Sequence, residues 1–184
     1  SRNGRSDPES EAVLLSVQVA GGAVACSLPP GIAVAWLLAR GTFTGKMLVD
    51  GLVHLPLVLP PVSVGYLLLV LLGRNGILGA WFEAVFGITF VFSWRGAAVA
   101  SAVIAFPLMV RAIRLSLEAV DPGLETAART LGARPWKVFF LITLPLAAPG
   151  VLSGAVLAFA RCLGEFGATI AFAANVPGET RTIP

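Results

Sequence analysis

Apolar residues in this chain come in long blocks rather than in alternation. Four blocks reach the length that crosses a bilayer, where ~30 Å of hydrocarbon takes about 20 mainly apolar residues in a helix. They run from about Val13 to Ala39, Leu52 to Leu72, Val91 to Val110 and Phe139 to Leu163. Asp7 followed by Pro8 marks a start for the first block, a capping residue before one suited to the first helical turn. Pro29, Pro30 and Gly31 predict a kink inside it, which neighbouring helices in a membrane bundle tolerate. The second block holds Pro56, Pro60 and Pro61. The third has Arg95 near one end and Pro107 near the other. The pattern predicts an all-α, polytopic helical membrane protein with four spans.

The connections differ in length and charge. Arg40 to Lys46 is short and basic, while Arg74 to Phe90 is longer and is flanked or broken by Gly73, Gly76 and Gly79. Arg111 to Trp136 is the longest polar segment, with Arg111, Arg114, Glu118, Asp121, Glu125, Arg129 and Arg134, and Lys137 just beyond. Lys and Arg in short loops favour the cytoplasmic side. Placing 40–46 and 111–137 together collects seven of them. The other side has Arg2, Arg5, Arg74, Arg95 and Arg181, with Arg161 nearby. This distribution puts the N-terminus outside and the 111–137 loop in the cytoplasm.

Composition agrees with a bilayer. Of 184 residues, 57% are hydrophobic and 12% charged, with a mean hydropathy of +0.87; soluble domains carry about 25% charged residues. The formal net charge of +3 reads as loop charge in a membrane protein, and nucleic acid is not an expected partner. Cys26 and Cys162 lie in apolar stretches and read as packing residues. His54 is the single histidine, so no Cys/His zinc site can be assembled; it reads as a helix-end or packing residue. The polar segment 1–11 lacks the charged, apolar, small-residue order of a cleaved signal peptide. It also lacks an initiator Met and reads as trimmed. The chain stops at GETRTIP without a closing element, which reads as truncation.

No catalytic constellation, cofactor motif or metal site emerges. The nearest approach to a nucleotide-binding loop is Gly41 to Met47, but it has Arg40 where Gly is needed and Met47 where Ser or Thr is needed. Glu165, in LGEFGAT, sits at the end of the fourth block. Ionisable groups at membrane depth are costly and often functional. Two readings stay open: an interfacial acid pairing with Arg161 one turn earlier, or a residue shaping a translocation path with Gly164, Gly167 and Thr169. In the path reading, Gly164 and Gly167 permit close backbone packing. Gly150 and Gly154, with Ala158 one turn on, have the spacing that lets helices approach closely. It suits packing inside one protomer, or else a homodimer seam.

The segment from Glu118 to Pro149 carries the most information. Asp121 predicts a cap and Pro122 a first helical position. Leu124, Ala127, Ala128 and Leu131 form a small apolar face, and Gly132 ends the helix with positive φ. A second helix starts near Arg134, Pro135 and Trp136. Physically this is a helical hairpin that either docks into another protein's groove or lies on the membrane surface.

The spacing resembles the cytoplasmic motif of ABC importer permeases: Glu-Ala-Ala, a Gly four residues on, then Ile-x-Leu-Pro. Ala127, Ala128, Gly132, Ile142, Leu144 and Pro145 fall on it without a gap. Thr126 stands at the motif's Glu, with the acid one place earlier at Glu125. GTFTGK, LVHLPLVLPPVSVGYLLLVLLGRNG, FGITFVFSWRGA and FPLMVRAIRLSLEAVD look like the molybdate permease branch, as do AFARCLGEFGATIAF and NVPGETRTIP. The match runs from about residue 12, and sulfate/thiosulfate permeases are near relatives.

The resemblance implies a permease domain over 12–184, with a coupling loop at 111–137 and one further span after GETRTIP. It implies that the hairpin docks on an ATP-binding subunit through Asp121, Leu124, Glu125, Ala127, Ala128, Leu131 and Gly132. It also implies two permease copies, a periplasmic molybdate-binding protein and a place in the bacterial inner membrane. Sulfate, thiosulfate and tungstate are the alternative cargoes. A passive channel or a membrane anchor are the readings from other classes.

Overall fold

The computed structural model describes residues 8–73, 76, 79, 80, 84 and 94–173. The Asp7 cap, most of the loop before Trp94, the tail after Ala173 and the side chains of Gly167 and Thr169 lie outside the described residues. Within them the regular structure is helical throughout: α1 (Pro8–Arg40), α2 (Lys46–Val58), α3 (Pro61–Leu72), α4 (Trp94–Ala119), α5 (Pro122–Thr130), α6 (Pro135–Val138), a π-helical turn (Phe139–Thr143), α7 (Leu144–Leu146) and α8 (Ala148–Ala173).

Helices α1 and α4 are long and apolar enough to cross a membrane, over Val13–Arg40 and Ala98–Ala119. The other two expected spans are bent. Between α2 and α3 the chain turns by 116°, so the span expected from about Leu52 to Leu72 is a bent pair of helices rather than one continuous helix. The cause is Pro60-Pro61. A residue before proline is pushed out of the helical region, and this applies twice in succession: Leu59 sits at φ −76°, ψ 141° and Pro60 at φ −57°, ψ 142°. The fourth block bends by 67° between Leu146 and Ala148, beside Pro149, which cannot donate within a helix. The kink expected at Pro29 and Pro30 produces no break, because α1 is helical through both. Helix α4 outruns the expected third span and takes in residues 111–119 of the segment read as loop.

Helix α4 is the centre of the bundle, with α1 and α8 packed on it. Leu38, Met109, Val110, Ile113, Leu117, Ala147 and Cys162 are fully buried along these contacts. Small residues set the spacing: Ala158 is buried, and Gly150 and Gly154 of α8 lie against Ser116 and against Met109 and Ile113 of α4. The Gly-x-x-x-Gly face is therefore used inside the protomer. Gly31 of α1 does the same toward Met109, whose terminal methyl would stand 2.7 Å from an added Cβ.

Candidate functional site

The hairpin predicted between α4 and the last long helix is present, and its punctuation is the one the residues call for. Asp121 caps α5, its carboxylate accepting from the Gly123 N–H at 2.8 Å, with Pro122 in the first position. At the other end Gly132 has φ +86°. The Gly132 N–H donates to Arg129 O at 3.0 Å and the Ala133 N–H to Ala128 O at 3.1 Å, a paired closure of the last turn that left-handed glycine makes accessible. Arg134 is extended before Pro135, and α6 then leads into the π-helical turn, where the Leu144 N–H reaches back to Phe139 O.

The apolar residues of α5 turn away from the bundle. Leu124 is 49% exposed, Leu131 88% and Trp136 56%; Ala127 is exposed and Ala128 half-buried. No residue of α5 is fully buried. Lys137 lies 5.6 Å above the Trp136 ring, and with Arg129 and Arg134 it gives this apolar surface a basic rim.

Glu125 does not share that surface. Its side chain turns inward and is 14% exposed. Glu125 Oε1 accepts from Arg40 Nη2 at 3.1 Å and from the Thr143 hydroxyl at 2.9 Å. The same Arg40 nitrogen donates to Val120 O at 2.9 Å, a carbonyl at the end of α4 with no helical partner ahead of it. Thr126, at the position where the resembled motif has Glu, bonds within its own helix to Pro122 O at 3.0 Å. The acid shifted by one residue thus anchors the hairpin rather than facing outward with Leu124 and Leu131. Phe139 adds an edge-on contact to Trp36 of α1 at 5.7 Å.

Sequence reasoning did not single out Arg40 or Thr143 as site residues. It also missed a second polar cluster, between α2 and α4. Arg114 donates to Asp50 at 3.0 Å and to Glu118 at 2.8 Å, and His54 Nδ1 lies 2.8 Å from Asp50 O and 3.2 Å from its carboxylate. A carboxylate inside the apolar run MLVDGLVHL was the available signal.

The candidate path residues are less assembled. Glu165 pairs with Arg161 at 2.9 Å, and Gly164 has open space where a Cβ would stand. Among the described residues nothing packs closely on Gly164. A cleft of about 820 Å³ opens between α1, α2 and α4. Its walls are almost wholly apolar, with Gln18 and Ser27 among the few polar side chains, a poor lining for an oxyanion.

The sequence model of the binding-protein-dependent transport system inner membrane component family matches residues 31–184. The molybdenum transport system permease protein ModB of Escherichia coli (strain K12) is 67% identical over 179 residues, covering 97% of this chain and 78% of that protein. ModB of Haemophilus influenzae is 62% identical over 176 residues, 96% and 77% of the two chains. The sulfate transport system permease protein CysT of E. coli is 41% identical over 150 residues, 82% and 54% of the two.

Proposed function

Since this chain belongs to the family of binding-protein-dependent transport system inner membrane components, we propose that it is the permease subunit of an ATP-driven molybdate importer, docking on a separate ATP-binding subunit through its α5–α6 hairpin. The observation that carries this is the hairpin's division of labour. The capped hairpin presents Leu124, Leu131 and Trp136 outward while Glu125 ties it to the bundle behind. Large apolar side chains on a short helix, rimmed by cations, suit a groove in a partner with acidic margins.

The other assignments follow the same reading. Two copies pair around a shared path, and a periplasmic binding protein delivers the oxyanion. The hairpin side is cytoplasmic and the N-terminus outside. Contact of Arg40 with Val120 and Glu125 supports setting the 40–46 and 111–137 segments on one side, where lysine and arginine concentrate. Molybdate is preferred over sulfate because two molybdenum permeases match at 62% and 67% identity and the sulfate permease CysT at 41%. A passive channel would have no use for a docking hairpin.

The test is reconstitution of the permease with its ATP-binding subunit and binding protein in proteoliposomes. ATP-dependent uptake of labelled molybdate, undiminished by excess sulfate, is the expected outcome. Uptake that ignores ATP, or an ATP-binding subunit that does not co-purify with the permease, would refute the reading.

A further inference from the structure

Helix α5 has nine residues and no fully buried side chain, so packing alone holds it weakly to the membrane domain. Among the described residues, its side-chain hydrogen bonds to α1 and to the π-helical turn converge on one oxygen. Glu125 Oε1 gathers Arg40, the last residue of α1, and Thr143, the last residue of the π-helical turn. Arg40 in turn holds the end of α4 at Val120 O. The end of α1, the end of α4, α5 and the π-helical turn thus meet within hydrogen-bond distance. Thr143 is 1% exposed and Arg40 and Glu125 are mostly buried, so water competes little for these bonds.

Thr143 also occupies a mechanically particular place. Before it lies the π-helical turn, and after it the 67° bend that starts α8. Insertions in the helical ladder of this kind are where helices hinge. Among the described residues Arg40 Nε is buried without a partner, and an unsatisfied buried donor destabilises this arrangement relative to one that satisfies it. A clasp that joins a hinge to a docking helix and leaves one donor unmet has the makings of a two-position element.

We infer that Arg40, Glu125 and Thr143 are positioning residues that form a strut, transmitting displacement of α5 to α1, α4 and α8. The inference rests on the reading of α5 as the docking helix. A strut of this kind acts on how much cargo moves per ATP, whereas a merely stabilising contact acts on how much complex assembles.

The experiment uses the purified complex with its ATP-binding subunit in proteoliposomes, with binding protein and molybdate, and reads molybdate transported per ATP hydrolysed. Glu125→Gln and Thr143→Val should each lower that ratio by about fivefold or more, the lower end of coupling between linked sites. The double variant should fall no more than about twofold below the worse single, because both remove one unit. Thr143→Ser should keep the native ratio, and either single that assembles suffices for the comparison. A ratio unchanged in the single variants, or one that multiplies in the double, overturns the strut. A native complex that shows no ATP-dependent uptake refutes the functional reading itself, before any variant is made.

Discussion

Gly150 of α8 lies so close to Ser116 of α4 that a Cβ built on the glycine overlaps the serine side chain. Four residues on, Gly154 stands 3.0 Å from Met109 O by the same measure. Gly150→Val and Gly154→Val should therefore wedge the two helices apart, at a cost of about 1–3 kcal/mol each, the usual range for overpacking. Gly164→Ala meets no described atom within 4 Å and should leave stability within about 0.5 kcal/mol of native. Thermal melting of the detergent-solubilised protein, followed by size exclusion, checks the contrast. Equal melting of all three variants would remove Gly150 and Gly154 from the packing seam.

Gly132 carries the hairpin's turn at φ +86°. An added side chain meets no neighbour there, so the cost of Gly132→Ala is conformational, about 1–2 kcal/mol for an L-residue in the left-handed region. Gly132→Asn should cost less, since asparagine tolerates that region. Limited proteolysis of the hairpin is the measurement: cleavage between Thr130 and Arg134 should rise most for Ala and least for Asn.

Local features of this site were legible in the chain, and distant ones were not. Asp121, Pro122 and Gly132 act on their own turn of backbone, so residue type alone placed both ends of α5. Gly150 and Gly154 were legible because a helical repeat puts both on one face. The bend at Leu59 was missed although its prolines were noted. Proline in a membrane helix is often tolerated, and only the pair Pro60-Pro61 holds two successive residues extended. Glu125 joins the expected docking residues only through its place one residue before the motif's Glu position. Its partners Arg40 and Thr143 stand 85 and 18 residues away, and no local periodicity encodes a pairing at that range.

Leu131 is the most exposed large apolar side chain of the described hairpin. Leu131→Asp removes apolar area from the docking surface and sets a charge beside the basic rim, while disturbing no buried contact. Melting should stay within about 0.5 kcal/mol of native. Affinity for the ATP-binding subunit should fall about tenfold or more, since desolvated apolar anchors dominate interfaces of this size. Native affinity in the variant would place the docking surface elsewhere.

Arg114 is held from two sides, by Asp50 of α2 and by Glu118 of its own helix. Removing Asp50 leaves Arg114 its near partner, whereas removing Arg114 takes the arginine from both acids at once and leaves Asp50 only His54. Arg114→Ala should therefore destabilise more than Asp50→Ala. The double-mutant cycle should give a coupling of about 0.5–3 kcal/mol, the range for residues in one network. Melting midpoints of the three variants decide it, and additive losses would show that α2 is positioned by its apolar contacts alone.

Glu165 and Arg161 form an ion pair whose side chains are 28% and 44% exposed. A pair that open to its surroundings contributes about 0–1 kcal/mol, so Glu165→Gln should barely move the melting midpoint. Uptake is the separate question. If the carboxylate shapes the path, molybdate transport in the variant falls about tenfold or more while the complex stays assembled and folded, because charge at membrane depth alters the barrier to an anion directly. Native uptake in a stable Glu165→Gln complex would reduce the residue to an interfacial partner of Arg161. The two readings thus separate on transport and not on stability, which makes this the substitution to measure first among the path candidates.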